Sequence, residues 1–251
     1  MRIDVLTLFP SMFAPMNESM MWKAQNLGAL DLQVHDIRHW TTDAHRTADD
    51  APYGGGGGMV LKVDVVGRAI EAVRAQAEPA PVILMSPQGQ VFHHRQALAL
   101  ARLPRLILLC GHYEGFDERV LDLYVDQEIS IGDYVLTSGE LAAMVVMDAV
   151  VRQLEGVLGA EGGAERESHA DGLLEGAHYT RPSEYRGLGV PQVLKEGNHA
   201  AIARWRRQES IKRTWLRRPE LLRNAPLSEA ECYSLADLAH AQADAHNRHV
   251  T

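Results

Sequence analysis

The stretch that decides the fold runs from Leu106 to Glu140, LILLCGHYEGFDERVLDLYVDQEISIGDYVLTSGE. Its first apolar run, Leu106–Cys110, stops at Gly111-His-Tyr-Glu-Gly115, and a second, Glu128–Ile131, stops at Gly132-Asp-Tyr134. Short unbroken apolar runs bounded by glycine read as strands buried in a sheet. Loops at the carboxyl ends of such strands are where open α/β sheets hold ligands, because glycine and backbone amides permit close approach. One such loop is an ordinary strand-to-helix turn. Two in succession, both rich in Gly, Tyr and acidic residues, point to a site.

Working outward towards the N-terminus, Val82–Met85 is a third apolar run, and it is expected to break at Ser86-Pro-Gln-Gly89. Ile3–Leu8 and Asp31–Ile37 alternate as strands, with a helix from Met12 to Asn26 between them that Gly28 closes. Asp64 is expected to cap a helix reaching Gln76, on which Val65, Val66, Ala69, Ile70 and Val73 share one face. His94–Arg102 is a further helix. This order of strands and helices predicts an α/β fold around a parallel sheet. Between Thr41 and Gly58 lies a polar segment ending in five consecutive glycines, Gly54 to Gly58. No Gly-Lys-Ser/Thr follows it, so it is not a P-loop; it reads as a surface loop or as a segment that orders on substrate.

On the C-terminal side, Gly139–Leu154 is the strongest helix, apolar on more than one face and so expected to be buried, partly against another subunit. Gly156–Gly163 contains four glycines and marks a boundary near residues 160–170. Beyond an irregular segment the chain reads as all-helical, with helices at Asn198–Leu216 and Ser228–His246, the latter opened by a Ser228/Glu231 capping box.

Composition narrows the field. With 251 residues, 46% hydrophobic and 23% charged, this is the make-up of an ordinary globular protein. The net charge of −8 is unevenly distributed, since Lys195 to Arg223 carries nine Lys or Arg against three Glu. A basic surface late in an acidic chain suits a polyanion. Two unpaired cysteines, Cys110 and Cys232, fit a reducing, cytoplasmic setting. No cleavable leader is evident, and Leu141–Val151 is too short to span a bilayer and contains Asp148, so no membrane role is expected.

Four strings, Cys110-Gly-His-Tyr-Glu-Gly115 with Asp117-Glu-Arg-Val120, Ser130-Ile-Gly-Asp-Tyr-Val-Leu136, His178-Tyr-Thr-Arg-Pro182 and Arg213-Thr-Trp-Leu-Arg-Arg-Pro219, together resemble the bacterial tRNA (guanine-N1)-methyltransferase family, TrmD. Leu8-Phe-Pro10, His45-Arg-Thr47 with Tyr53-Gly-Gly-Gly56, Ser86-Pro-Gln-Gly89 and Gly197-Asn-His199 match in the same order. The resemblance implies a SPOUT-type parallel sheet with a deep trefoil knot over residues 1–160, a linker over 161–178, and a small all-helical tRNA-binding domain over 179–251. It implies a homodimer acting on tRNA, with no DNA partner, and S-adenosyl-L-methionine as methyl donor. Magnesium is implied by the family, without a dedicated site in the sequence.

The cofactor would be held by Leu84, Ser86 and Pro87; by Gly111, Tyr113, Glu114 and Gly115; and by Ser130, Ile131, Gly132, Asp133, Tyr134, Val135, Leu136, Ser138 and Gly139. The implied reaction methylates N1 of the guanosine immediately 3′ of the anticodon, tRNA position 37. That nitrogen bears a proton, so the chemistry needs a base and a group to stabilise charge on O6. The family's motif places these roles on Glu167 and Arg152, with Asp171 as the rival base. Arg206, Arg207, Arg213, Arg217 and Arg218, interleaved with Trp205 and a buried Trp215, would meet tRNA phosphates and bases. Departures from the family pattern are Glu167 for aspartate, His112 for arginine, Ser138 for glycine and Ala142 for proline. A binding module of the same fold with impaired chemistry is the alternative.

Overall fold

A computed structural model describes residues 1–159 and 167–237, and the chain divides into two compact units, Met1–Gly159 and Ala160–Thr251. The first unit is built on a five-stranded parallel sheet. Its strands are β1 (Arg2–Thr7), β2 (Asp31–Asp36), β5 (Val82–Val91), β6 (Arg105–Cys110) and β7 (Gln127–Ser130), in the order β2-β1-β6-β5-β7. A two-residue hairpin, β3 (Asp49–Asp50) with β4 (Val60–Leu61), brackets the glycine run.

Side chains alternate across the central strands, and the alternation sorts them into two cores. From β6, Leu106, Leu108 and Cys110 face one core with Ile3, Val5, Ile83 and Met85. Ile107 and Leu109 face the other with Leu6, Val82 and Leu84. Helices α1 (Ser19–Asn26), α3 (His94–Ala101) and α5 (Glu140–Val151) cover the first face, whereas α2 (Val63–Arg74) and α4 (Glu118–Tyr124) cover the second. The result is a three-layer α/β/α arrangement in which β6 is wholly buried.

Several local expectations are corrected. The helix expected over Met12–Asn26 is divided, because Pro15 lacks a donor: Pro10–Asn17 is 3₁₀, and α1 begins only at Ser19. Lys62, not Asp64, occupies the cap of α2, and Asp64 sits in its first turn paired with Arg68 at 3.0 Å. His93 caps α3 in a reciprocal box with Gln96. The strand over Val82–Met85 does not end at Ser86. It continues to Val91 after a register shift in which Met85 and Gln90 both pair with Ile129, so residues 86–89 form a bulge within β5. Gly89 permits the return, since a Cβ there would stand 2.5 Å from the Glu128 carbonyl carbon.

The sheet also contains a buried ionic cluster. Asp4 and Arg105 are fully buried, and Asp4 receives Arg105 Nε at 2.9 Å, Arg2 Nη2 at 2.7 Å and His35 Nε2 at 2.8 Å. Arg105 also donates to the carbonyls of Val73 at 2.6 Å and Glu78 at 2.8 Å, tying the end of α2 to the sheet. Burial alone pushes the Asp4 carboxyl up, but the hydrogen bonds from His35, Arg2 and Arg105 outweigh it and hold the group well below its ordinary 3.8.

In the second unit, α6 (His199–Arg217) is capped by Asn198, whose Oδ1 accepts from Ala201 N at 3.1 Å. A short exposed hairpin, β8 (Glu184–Tyr185) with β9 (Leu188–Gly189), precedes it. The Ser228 box forms as expected: Ser228 N donates to Glu231 Oε2 at 2.7 Å and Glu231 N to Ser228 Oγ at 3.3 Å. That helix is described to residue 237, and the remainder of the expected Ser228–His246 span lies outside the described residues.

Because the folded Asp4 titrates below its unfolded value, its stabilisation is complete above about pH 5 and is lost as pH falls through the acid range. Asp4→Ala, which strands Arg105 in the interior, is expected to lower the unfolding free energy by about 3–5 kcal/mol. It is also expected to flatten the acid limb of stability against pH, both measured by denaturant unfolding.

Candidate functional site

The bulge within β5 and the carboxyl ends of β6 and β7 open into one cleft of about 350 Å³. Three segments wall it: the β5 bulge, the loop after β6 and the loop joining β7 to α5. Backbone hydrogen bonds stitch these walls together. Gly139 N donates to Gly111 O at 2.9 Å, and His112 bridges Ser138. Phe92 N donates to Ser130 O at 2.8 Å, anchoring the far end of the bulge. The end of the glycine run joins the same assembly, with Glu114 N on Met59 O at 3.0 Å and Leu61 N on Gly115 O at 2.9 Å.

The two loops need the left-handed backbone that glycine supplies: Gly115 has φ +104° and Gly132 φ +143°. Tyr113 takes φ +58° without being glycine, a conformation costly enough to be worth retaining mainly at a site. At Gly139 the constraint is space, since its φ of −79° suits any residue. A Cβ there would meet Cys110 Cα at 2.9 Å and Gly111 N at 3.0 Å.

Of the residues singled out for the cofactor, Leu84, Ser86, Pro87, Gly111, Tyr113, Glu114, Gly115, Ser130, Ile131, Gly132, Tyr134, Val135, Leu136, Ser138 and Gly139 line this one cleft. Asp133, which is exposed, is not among them. The lining also includes Met85, Gln88, His112 and Thr137 from the same three expected loops, and Phe116, which the sequence left aside. His112 Nδ1 is buried and has no hydrogen-bond partner. Behind the cleft, Glu140 is fully buried and its Oε1 accepts from Thr7 Oγ1 at 2.5 Å. Cys110 is not a nucleophile, because burial, and then the nearby Glu140 charge, push its thiol well above its ordinary range.

Arg152 is half-buried at the C-cap of α5. In the second unit, Glu167, Asp171, His178, Arg206 and Arg207 line a separate cavity of about 320 Å³. Asp171 accepts Arg207 Nη1 at 2.6 Å. Arg207 Nε also binds Glu231 at 2.7 Å, and Arg207, first among the causes, draws the Glu231 carboxyl down to about 2. Arg206, Arg217 and Arg218 are exposed on or beside α6, Arg218 paired with Glu220, whereas Arg213 is half-buried. Trp215, expected to be buried, is only half-buried, as is Trp205, whose ring lies 6.3 Å from Tyr179.

Among the described residues no helix is long and apolar enough to cross a membrane, and no group of three or more His, Cys, Asp or Glu side chains could hold a metal ion.

Gly139→Ala is expected to cost about 1–3 kcal/mol in denaturant unfolding, because the methyl group presses on backbone that cannot yield. Gly57→Ala, with nothing within 4 Å, serves as the comparison and should leave stability nearly unchanged.

Comparison with known proteins places the whole arrangement in context. The family profile described as "tRNA (Guanine-1)-methyltransferase TrmD" matches residues 1–224. A tRNA (guanine-N(1)-)-methyltransferase of Chloroflexus aggregans is 57% identical over 241 residues, covering 95% of this chain and 93% of that protein. The protein of the same description from Geobacter sulfurreducens is 55% identical over 239 residues, covering 95% and 98%. That from Dehalococcoides mccartyi is 54% identical over 233 residues, covering 92% and 94%.

Proposed function

Because the chain belongs to the tRNA (guanine-1)-methyltransferase family, we propose that it transfers a methyl group from S-adenosylmethionine to N1 of the guanosine immediately 3′ of the anticodon, position 37 of tRNA. The observation that carries this reading is the cleft formed by the β5 bulge and the glycine-bearing loops after β6 and β7. Its size falls in the range of small-molecule sites. The backbone of the loop from Ile131 to Leu136 offers donors and acceptors suited to an adenine edge and a ribose. Ser86, Gly111, Tyr113, Ser130 and the Ile131–Leu136 backbone would hold the cofactor, which when bound supplies an electrophilic methyl group on sulfonium.

The chain's own task is then to make N1 nucleophilic. Glu167 takes the N1 proton as general base, and Arg152 stabilises the negative charge that passes to O6. Asp171, the rival base, is paired with Arg207. The described carboxylates do not fit a protein-held magnesium site. A magnesium ion used by the family would draw its oxygens largely from water and phosphate, and no step is assigned to it.

The same reading takes residues 1–160 as a SPOUT domain with a deep trefoil knot, 161–178 as linker and 179–251 as the tRNA-binding domain. The knot rests on the family resemblance; the β5 bulge and the loops after β6 and β7, where it would lie, meet at the one cleft. Phosphate contacts fall to the exposed Arg206, Arg217 and Arg218, with Arg213 beside them. A homodimer is supported by α5, where Leu141 and Val145 are each 49% exposed one turn apart, next to the exposed Asp148. Cysteine usage supports a cytoplasmic setting, with Cys110 and Cys232 both free.

With labelled S-adenosylmethionine and unmodified tRNA, the wild type should label guanine N1, and Glu167→Gln should reduce the rate by about 10²–10⁴-fold. Loss in Asp171→Asn alone would move the base to Asp171. Cofactor binding without labelling by the wild type would instead support a binding module. In light scattering, Leu141→Asp with Val145→Asp should halve the particle mass.

A further inference from the structure

Arg207 is one of the basic residues that the sequence assigns to phosphate, yet its guanidinium is occupied on every edge. Nη1 reaches Asp171 Oδ2 at 2.6 Å, Nε reaches Glu231 Oε1 at 2.7 Å, and Nη2 reaches Pro226 O at 2.8 Å and Glu231 Oε2 at 3.5 Å. A phosphate-reading arginine presents its planar fork to the ligand. Here two carboxylates and a carbonyl have taken that fork.

Asp171 is just as fully used. Its Oδ1 accepts from Leu173 N at 3.2 Å, closing a turn, while Oδ2 takes Arg207. The same turn returns to Glu167, whose carbonyl accepts from Ala170 N at 3.2 Å. His169 N donates to Leu173 O at 2.7 Å, and Glu175 N to Ser168 Oγ at 3.0 Å. The segment is then fastened to α6 by Leu174 N on the buried Thr214 Oγ1 at 2.8 Å and by Ser210 Oγ on Leu174 O at 2.5 Å. Residues 167–175 therefore form a compact loop held to α6 near its end by hydroxyls at Leu174 and at its middle by the Arg207–Asp171 ion pair, with Glu167 joined to that middle by its carbonyl.

We infer that Arg207 is a positioning residue: by clamping Asp171 and Glu231 it fixes the short loop that carries Glu167. The inference rests on the reading of Glu167 as the base. It assigns Asp171 to holding the loop, not to proton transfer, and removes Arg207 from the phosphate-binding set. A displaced base is costly because the proton must be met at hydrogen-bonding distance, and a shift of about 1 Å can cost as much as 10²-fold.

The test compares Arg207→Gln, Arg207→Lys, Asp171→Asn, Arg206→Gln and Glu167→Gln in the full-length protein. It reads single-turnover methyl transfer at saturating tRNA and S-adenosylmethionine, together with the dependence of tRNA affinity on salt. Arg207→Gln and Asp171→Asn should each lower the single-turnover rate by about 10- to 100-fold, and the double variant should lower it no further. Arg207→Lys, which keeps a cation but not the fork, should recover part of the rate. In neither Arg207 variant should the slope of log Kd against log salt change, whereas Arg206→Gln should reduce it by about one.

A reduced salt slope with an unchanged saturated rate in Arg207→Gln would make it a phosphate contact and overturn the inference. If Arg207→Gln does not fold, Asp171→Asn decides: a full rate in that variant overturns the clamp. A full rate in Glu167→Gln would overturn the base assignment itself, and the clamp with it. Loss in Glu167→Gln beside normal rates in Arg207→Gln and Asp171→Asn would overturn the clamp alone.

Discussion

Backbone rests directly on backbone where α5 begins. Gly139 lies so close to Cys110 and Gly111 that no side chain fits between them, and its N–H completes a hydrogen bond to Gly111 O. That contact sets how near the loop after β7 comes to the loop after β6. The β5 bulge closes the third side by a similar approach of Gly89 to Glu128 and Ile129. The cleft exists because two glycines allow three chain segments to converge where larger residues would hold them apart.

The two units are held by different balances of forces. In the first, the sheet separates two apolar cores, and the one large polar cluster in its interior, around Asp4 and Arg105, has its charges paired and hydrogen-bonded. In the second, the buried apolar side chains among the described residues are Leu173 and Ile211, and directional contacts carry more of the organisation. Thr214, Ser210 and Arg207 on α6 each bind the loop of residues 167–175 or the chain beyond Pro226. Where the described apolar core is this small, the organisation depends on hydrogen-bond geometry.

Charge follows the same division. The chain as a whole is acidic, yet Lys195 to Arg223 is strongly basic. On α6 some of that positive charge is consumed internally by Arg207, while Arg206 and Arg217, and Arg218 beside Glu220, stand exposed. Counting basic residues therefore overstates the surface available to a polyanion. What remains is concentrated on one helix, where its field still favours phosphate.

The sequence by itself determined where the strands of the parallel sheet begin, the helices α2, α3 and α5, and the glycine loops after β6 and β7. These follow from local periodicity and from residues with unusual backbone freedom, as the two-faced sorting of Leu106–Cys110 illustrates. Motifs such as Cys110–Gly115 and Ser130–Leu136 also carried the family, because they are contiguous strings. Only the tertiary structure decided that the three loops share one cleft, that Asp133 stays outside its lining, and that β5 bulges at Ser86–Gly89 before continuing. It also decided that Arg207 faces carboxylates from two distant parts of the chain. Each of these depends on contacts between residues far apart in sequence, where spacing and composition carry no distance information.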